Sequence, residues 1–285
     1  MLRPILILGL CAGLHSAVAD ASQGKRNDPV TLSAKDRTSA DLFEVRVFLP
    51  QTAIESTVDV GRVARPPSGG LLDTLIVYSL DDKKKILSKS LKDKAEHTIQ
   101  PVRGVLSGFD VDALALTSSA KALATIDWLH AGTPALHKDM SYTGQPGENV
   151  AEISFRYDLS PDFSSIRVFA DVRLARNNAV VFKQTVTSIV QLNKRSFEHD
   201  KNALLWSEDD GKRAKEAIVD SFRQMEQLIP IALNMTSADL NAFGNKNREQ
   251  GFAAGYNGPI IKRGGLSPDD ILIWSNGLLF LHVLP

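Results

Sequence analysis

The chain has 285 residues, with 33 Lys+Arg balanced by 33 Asp+Glu and 43% hydrophobic content, enough to bury a sizeable core. Zero net charge removes the basic signature of a nucleic-acid binder, and a single cysteine removes an intramolecular disulfide framework. No window beyond residue 20 is long and apolar enough to be a membrane-spanning helix.

The N-terminus carries Arg3, an apolar run from Ile5 to Leu14, and then Ala17-Val18-Ala19 before Asp20. The run is about half of the ~20 residues that a spanning helix needs, and a charge, an apolar run and a small-x-small site in that order form a signal peptide. Residues 1–19 are therefore expected to be cleaved, leaving a periplasmic chain that begins near Asp20. Cys11 lies in the apolar run, but Leu10 before it is not the small residue that a lipoprotein box requires, so lipid anchoring is not expected. Cleavage removes the only cysteine and one basic residue. An exported chain without cysteine fits a bacterial envelope better than a eukaryotic secretory route.

Residues 20–40 are polar and are read as a mobile leader, followed by a main domain over 41–235 and a C-terminal extension over 236–285. In the first strand Phe43, Val45, Val47 and Leu49 share one face, with Glu44 and Arg46 on the other. Pro66-Pro67-Ser68-Gly69-Gly70 leads into a long helix marked by Leu72, Ile76, Leu80, Leu87, Leu91 and Ala95, and Pro101 should end it near Thr98. Its lysines, Lys83 to Lys94, are interleaved with Asp81, Asp82, Asp93 and Glu96, as on a solvated face.

A second helix is expected from Asp112 to Ala124, capped by Asp110 or Asp112, then a short strand over Ile126–Leu129 and a Gly/Pro-rich loop over 131–148. From about 150 to 192 the period is two. Ile153 to Leu159, Ile166 to Leu174 and Val180 to Leu192 form a three-stranded antiparallel meander with turns at Ser160-Pro161-Asp162 and Asn177-Asn178. Its outer face offers Arg156, Asp158, Arg167, Asp171 and Arg173 for cross-strand pairing. Ser207 and Asp210 have capping-box spacing ahead of a helix whose stripe is Ala214, Ala217, Ile218, Met225, Leu228, Ile229 and Ala232, with Pro230 as its kink or stop. A short helix over Ser237–Phe243 and a hairpin around Ser275-Asn276-Gly277 complete the chain. The expected fold class is α+β, an antiparallel or mixed sheet with long helices on one face.

Chemistry-bearing motifs are sparse. Gly265-Leu266-Ser267-Pro268-Asp269 and Ser107-Gly108 both fail the nucleophile-elbow pattern, and His97, His130, His137, His199 and His282 show no helical ligand spacing. Glu208-Asp209-Asp210-Gly211 lacks the alternation of a calcium loop and reads as a helix N-terminus. No catalytic, metal or cofactor residues are assigned. The expectation is a non-enzymatic accessory or binding module of the bacterial envelope with an envelope protein as partner and no nucleic acid. The alternative is a periplasmic hydrolase of cell-wall, peptide or glycan substrates, built on the 131–148 loop with His130 and His137. Peripheral attachment through the lysine-rich helix is a third possibility.

Overall fold

The period-two run at Phe43–Leu49 forms β1 (Leu42–Phe48), with Phe43, Val45 and Val47 fully buried. In the computed structural model the described residues are 29–37, 42–57, 89–142, 149–250 and 256–284. Residues 1–19, expected to be a signal peptide, the Pro66–Gly70 stretch and residues 72–88 of the expected lysine-rich helix lie outside them.

Among the described residues eleven strands make one mixed sheet. Besides β1 they are β2 (Glu55–Ser56), β3 (His130–Ala131), β4 (Ala135–His137), β5 (Val150–Leu159), β6 (Ser165–Arg176), β7 (Ala179–Gln191), β8 (Arg248–Gln250), β9 (Asn257–Arg263), β10 (Ile271–Trp274) and β11 (Leu278–Val283). Their order is β3-β1-β5-β6-β7-β11-β10-β9-β8, with β2 paired to β5 and β4 to β1. The meander β5-β6-β7 is antiparallel, as its alternation predicts, and its second turn places Asn177 and Asn178 at φ 47° and 66°. The two joints flanking it are parallel, β1 with β5 and β7 with β11.

Helices cover one face of this sheet. Residues 89–105 form the described part of α1, followed by α2 (Val111–Ala124), α3 (His199–Asn234) and α4 (Ser237–Phe243). Ile99 and Val102 of α1, Ala115 and Leu123 of α2, and Trp206, Phe222 and Met225 of α3 share a core with Phe155, Val168, Phe182 and Val186 of the sheet. A smaller cluster, Ile189, Ile271, Ile273, Leu279 and Leu281, lies apart from it. Part of the leader is held on the body: Lys183 N–H donates to the Pro29 carbonyl, and Arg37 reaches the Met235 carbonyl at 2.7 Å.

Several local expectations are corrected. α1 runs through Pro101 to residue 105 rather than ending near Thr98, because burial of Ile99 and Val102 outweighs one lost hydrogen bond at an exposed position. Residues 126–129 turn, and the strand begins at His130. Ser207 does not cap Asp210; its hydroxyl donates back to the Leu204 carbonyl. α3 starts at His199 and is interrupted at Glu208–Gly211, where Asp209, Asp210 and Gly211 all adopt left-handed φ, and it then continues through Pro230. The outer face near β1 is not simply wet: Arg46 is 2% exposed, paired with Glu44 and Glu152 and lying 5.3 Å from the Tyr142 ring.

Candidate functional site

The β5–β6 turn, Ser160 to Ser164, is densely hydrogen-bonded and lines a cleft. Pro161 and Asp162 initiate the turn and Phe163 takes φ 56°, so the Asp162 side chain folds back over its own loop. Ser160 Oγ donates to Asp162 Oδ1 at 2.6 Å, and Ser164 donates through its backbone N–H to Oδ1 at 3.1 Å and through Oγ to Oδ2 at 2.8 Å. Burial opposes ionisation of Asp162, but the donors from Ser160 and Ser164 prevail and hold its carboxyl below the usual range.

The start of α3 is bolted onto this turn. Asn202 Nδ2 donates to the Asp162 carbonyl at 2.8 Å, and Trp206 Nε1 donates to the Phe163 carbonyl at 2.8 Å. From α1, Thr98 Oγ1 donates to Asp200 Oδ1 at 2.9 Å. On the strand side Arg167 makes a fork to Asp158 at 2.7 and 3.0 Å and also reaches Thr57 Oγ1 at 2.6 Å. Desolvation of Asp158 is the larger effect and leaves its carboxyl above the usual range even with Arg167 beside it.

Between these elements lies a cleft of about 460 Å³, within the size range of small-molecule sites. Leu91, Ala95, Pro161, Phe163, Ile189 and Tyr256 supply its apolar lining. Lys94, Arg195 and His199 also line it, are exposed, and make no hydrogen bond or ion pair among the described residues. Phe197, in the same connection between β7 and α3, is fully exposed at 104%.

The histidines singled out in the sequence are not brought together. His130 pairs opposite Leu42 and His137 opposite Phe48, at the two ends of β1, ~20 Å apart along a strand. His137 stacks on Tyr142 at 4.2 Å, and its buried Nε2 has no hydrogen-bond partner among the described residues. Residues 143–148 lie outside the described residues. His199 stands at the cleft, whereas His282 makes a buried pair, Nδ1 to Asp270 Oδ1 at 2.6 Å. This pair was missed, although a signal existed. The hairpin sets Ile271 opposite Leu281, so Asp270 falls opposite His282 by register alone.

Among the described residues no three His, Cys, Asp or Glu side chains gather as a metal site, and no helix is long and apolar enough to cross a membrane. The cleft itself was not legible in the sequence, since it joins residues from 57 to 256 through pairings between distant segments. Comparison with protein-family models, with curated proteins and with solved structures finds no match to this chain.

Proposed function

We propose that this chain is an exported, periplasmic accessory protein of the bacterial envelope that acts by binding, with the cleft at the β5–β6 turn as its contact site. The observation that carries the reading is how the polar groups at the cleft are distributed. Asp162 accepts from Ser160 and Ser164 and Asp200 from Thr98, with Asp158 beside the cleft paired to Arg167, while Lys94, Arg195 and His199 are exposed and make no hydrogen bond or ion pair among the described residues. Exposed basic side chains at the rim are suited to meeting the charge of a partner. Export is supported by the order of Arg3, the Ile5–Leu14 run and Ala17-Val18-Ala19. A hydrolase on the 131–148 loop draws no support from histidines at opposite ends of β1.

The test is expression of the whole chain in a bacterium followed by fractionation and mass measurement of the intact protein. The expected product is periplasmic, begins near Asp20 and carries no lipid. A mass retaining Cys11 with an acyl group, or an uncleaved cytoplasmic chain, overturns the export reading. A photo-reactive residue in place of Arg195 is expected to give a specific adduct in cells, and one in place of Asp220 on the far part of α3 is not. Adducts of equal yield at both positions would defeat the binding site.

A further inference from the structure

The geometry points to an amphiphilic anion, an acyl chain bearing a carboxylate or phosphate head, as the ligand of the β5–β6 cleft, an inference that rests on the binding reading above. Two features of the cleft define this chemistry. Its body is apolar: Leu91 and Ala95 from α1, Phe163 from the turn, Ile189 from β7 and Tyr256 ahead of β9. Its volume of about 460 Å³ can take a medium-length chain. Its charged groups are asymmetric in availability. The acidic groups Asp162 and Asp200 already accept hydrogen bonds, and Arg167 is committed to Asp158, which leaves Lys94, Arg195 and His199 to meet a head group.

The sign of the head follows from these partners. A cationic head would approach three basic side chains in order to reach acids whose lone pairs are partly taken, whereas an anionic head meets free donors directly. An inorganic anion would leave the apolar body unfilled, and Phe197, between Arg195 and His199 in sequence, is an exposed apolar group in the same connection. Burial of the chain and pairing of the head are thus separate contributions that can be measured apart.

The experiment titrates the purified mature chain calorimetrically with octanoate, decanoate and dodecanoate below their micellar concentrations, with dodecanol as the chain alone and inorganic phosphate as a head alone. Lysophosphatidylglycerol distinguishes a phosphate from a carboxylate head. One molecule should bind per chain, with affinity rising about fourfold per added methylene until the cleft is filled. The double substitution Lys94→Glu with Arg195→Glu, at exposed positions, should weaken dodecanoate roughly tenfold and leave dodecanol unchanged, with circular dichroism confirming the fold. Leu91→Gln should flatten the chain-length slope. The inference is overturned if phosphate binds as tightly as dodecanoate, if there is no chain-length slope, or if binding appears only with anionic vesicles and is lost in Phe197→Ser, which would make the surface a bilayer contact. Failure of every amphiphile while the Arg195-position adduct persists removes this ligand class and leaves the binding reading standing.

Discussion

Gly211 sits at φ 68°, and a Cβ on it would come 2.4 Å from Val105 Cγ2, so two independent reasons demand glycine there. Gly211→Ala should lose about 3 kcal/mol, from left-handed backbone cost together with overpacking against α1, read by urea denaturation. Asp209, at φ 51° in the same interruption, bears the same left-handed cost; Asp209→Gly should gain about 0.5–1 kcal/mol. Tyr157 offers a pH test: burial, with Asp112 and Glu55 nearby, pushes its phenol up to about 12. Its folded value lies above the unfolded one, so its contribution is complete below pH ~10 and is lost as pH rises toward 12, roughly 2–3 kcal/mol that Tyr157→Phe would not lose. Asp162 has the opposite sign. Its folded carboxyl is depressed, so its contribution is present above the ordinary carboxylate range and lost on acidification through the folded value; Asp162→Asn should abolish that acid limb. The composition of these sites was readable in the sequence. The alternation also places Tyr157 on the inner face and Arg156 on the outer one, as the structure has them, whereas the contact of Gly211 with Val105 was not readable because it comes from another helix.

Secondary-structure elements divide by whether their signals are local. The capping box of α4 is local: Thr236 Oγ1 accepts from Asp239 N–H, and the Asp239 carboxylate accepts from Thr236 N–H. Thr236→Ala should therefore cost about 1 kcal/mol in thermal or chemical denaturation. The Asn177-Asn178 and Asn276-Gly277 turns are legible for the same reason, since left-handed φ selects those residue types wherever they fall. Prolines misled, because a helix can lose one hydrogen bond at Pro101 or Pro230 when Ile99, Val102, Ile229 and Ala232 on its inner side are buried. The break in α3 lies instead at Glu208–Gly211, where close contact with Val105 of α1 calls for a glycine. The acidic run marks a helix boundary there in the sequence as well; the turns from His199 that precede it, and the contact with Val105, are what local signals do not carry.

At the scale of the whole molecule, the C-terminal hairpin is an interior part of the sheet: β11 lies parallel to β7 from Leu278–Val186 to Val283–Gln191 and carries β10 and β9 on its other side. Truncation after Gln250 should therefore abolish cooperative unfolding and near-ultraviolet circular dichroism, since it exposes the β7 edge and removes Phe280 and Leu272 from the core. Retention of a cooperative transition in the truncated chain would show that residues 256–284 are dispensable. By itself the sequence determined the α+β class, the antiparallel meander, the extents of α2 and α4 and the hairpin, because period, caps and turn chemistry act over a few residues. The tertiary structure decided the parallel joints β1–β5 and β7–β11, the reach of Arg167 to Thr57, and the cleft that gathers Lys94, Arg195, His199 and Tyr256. These depend on closing loops between distant segments, and the free energy that selects among such closures comes from packing that no short window of residues contains.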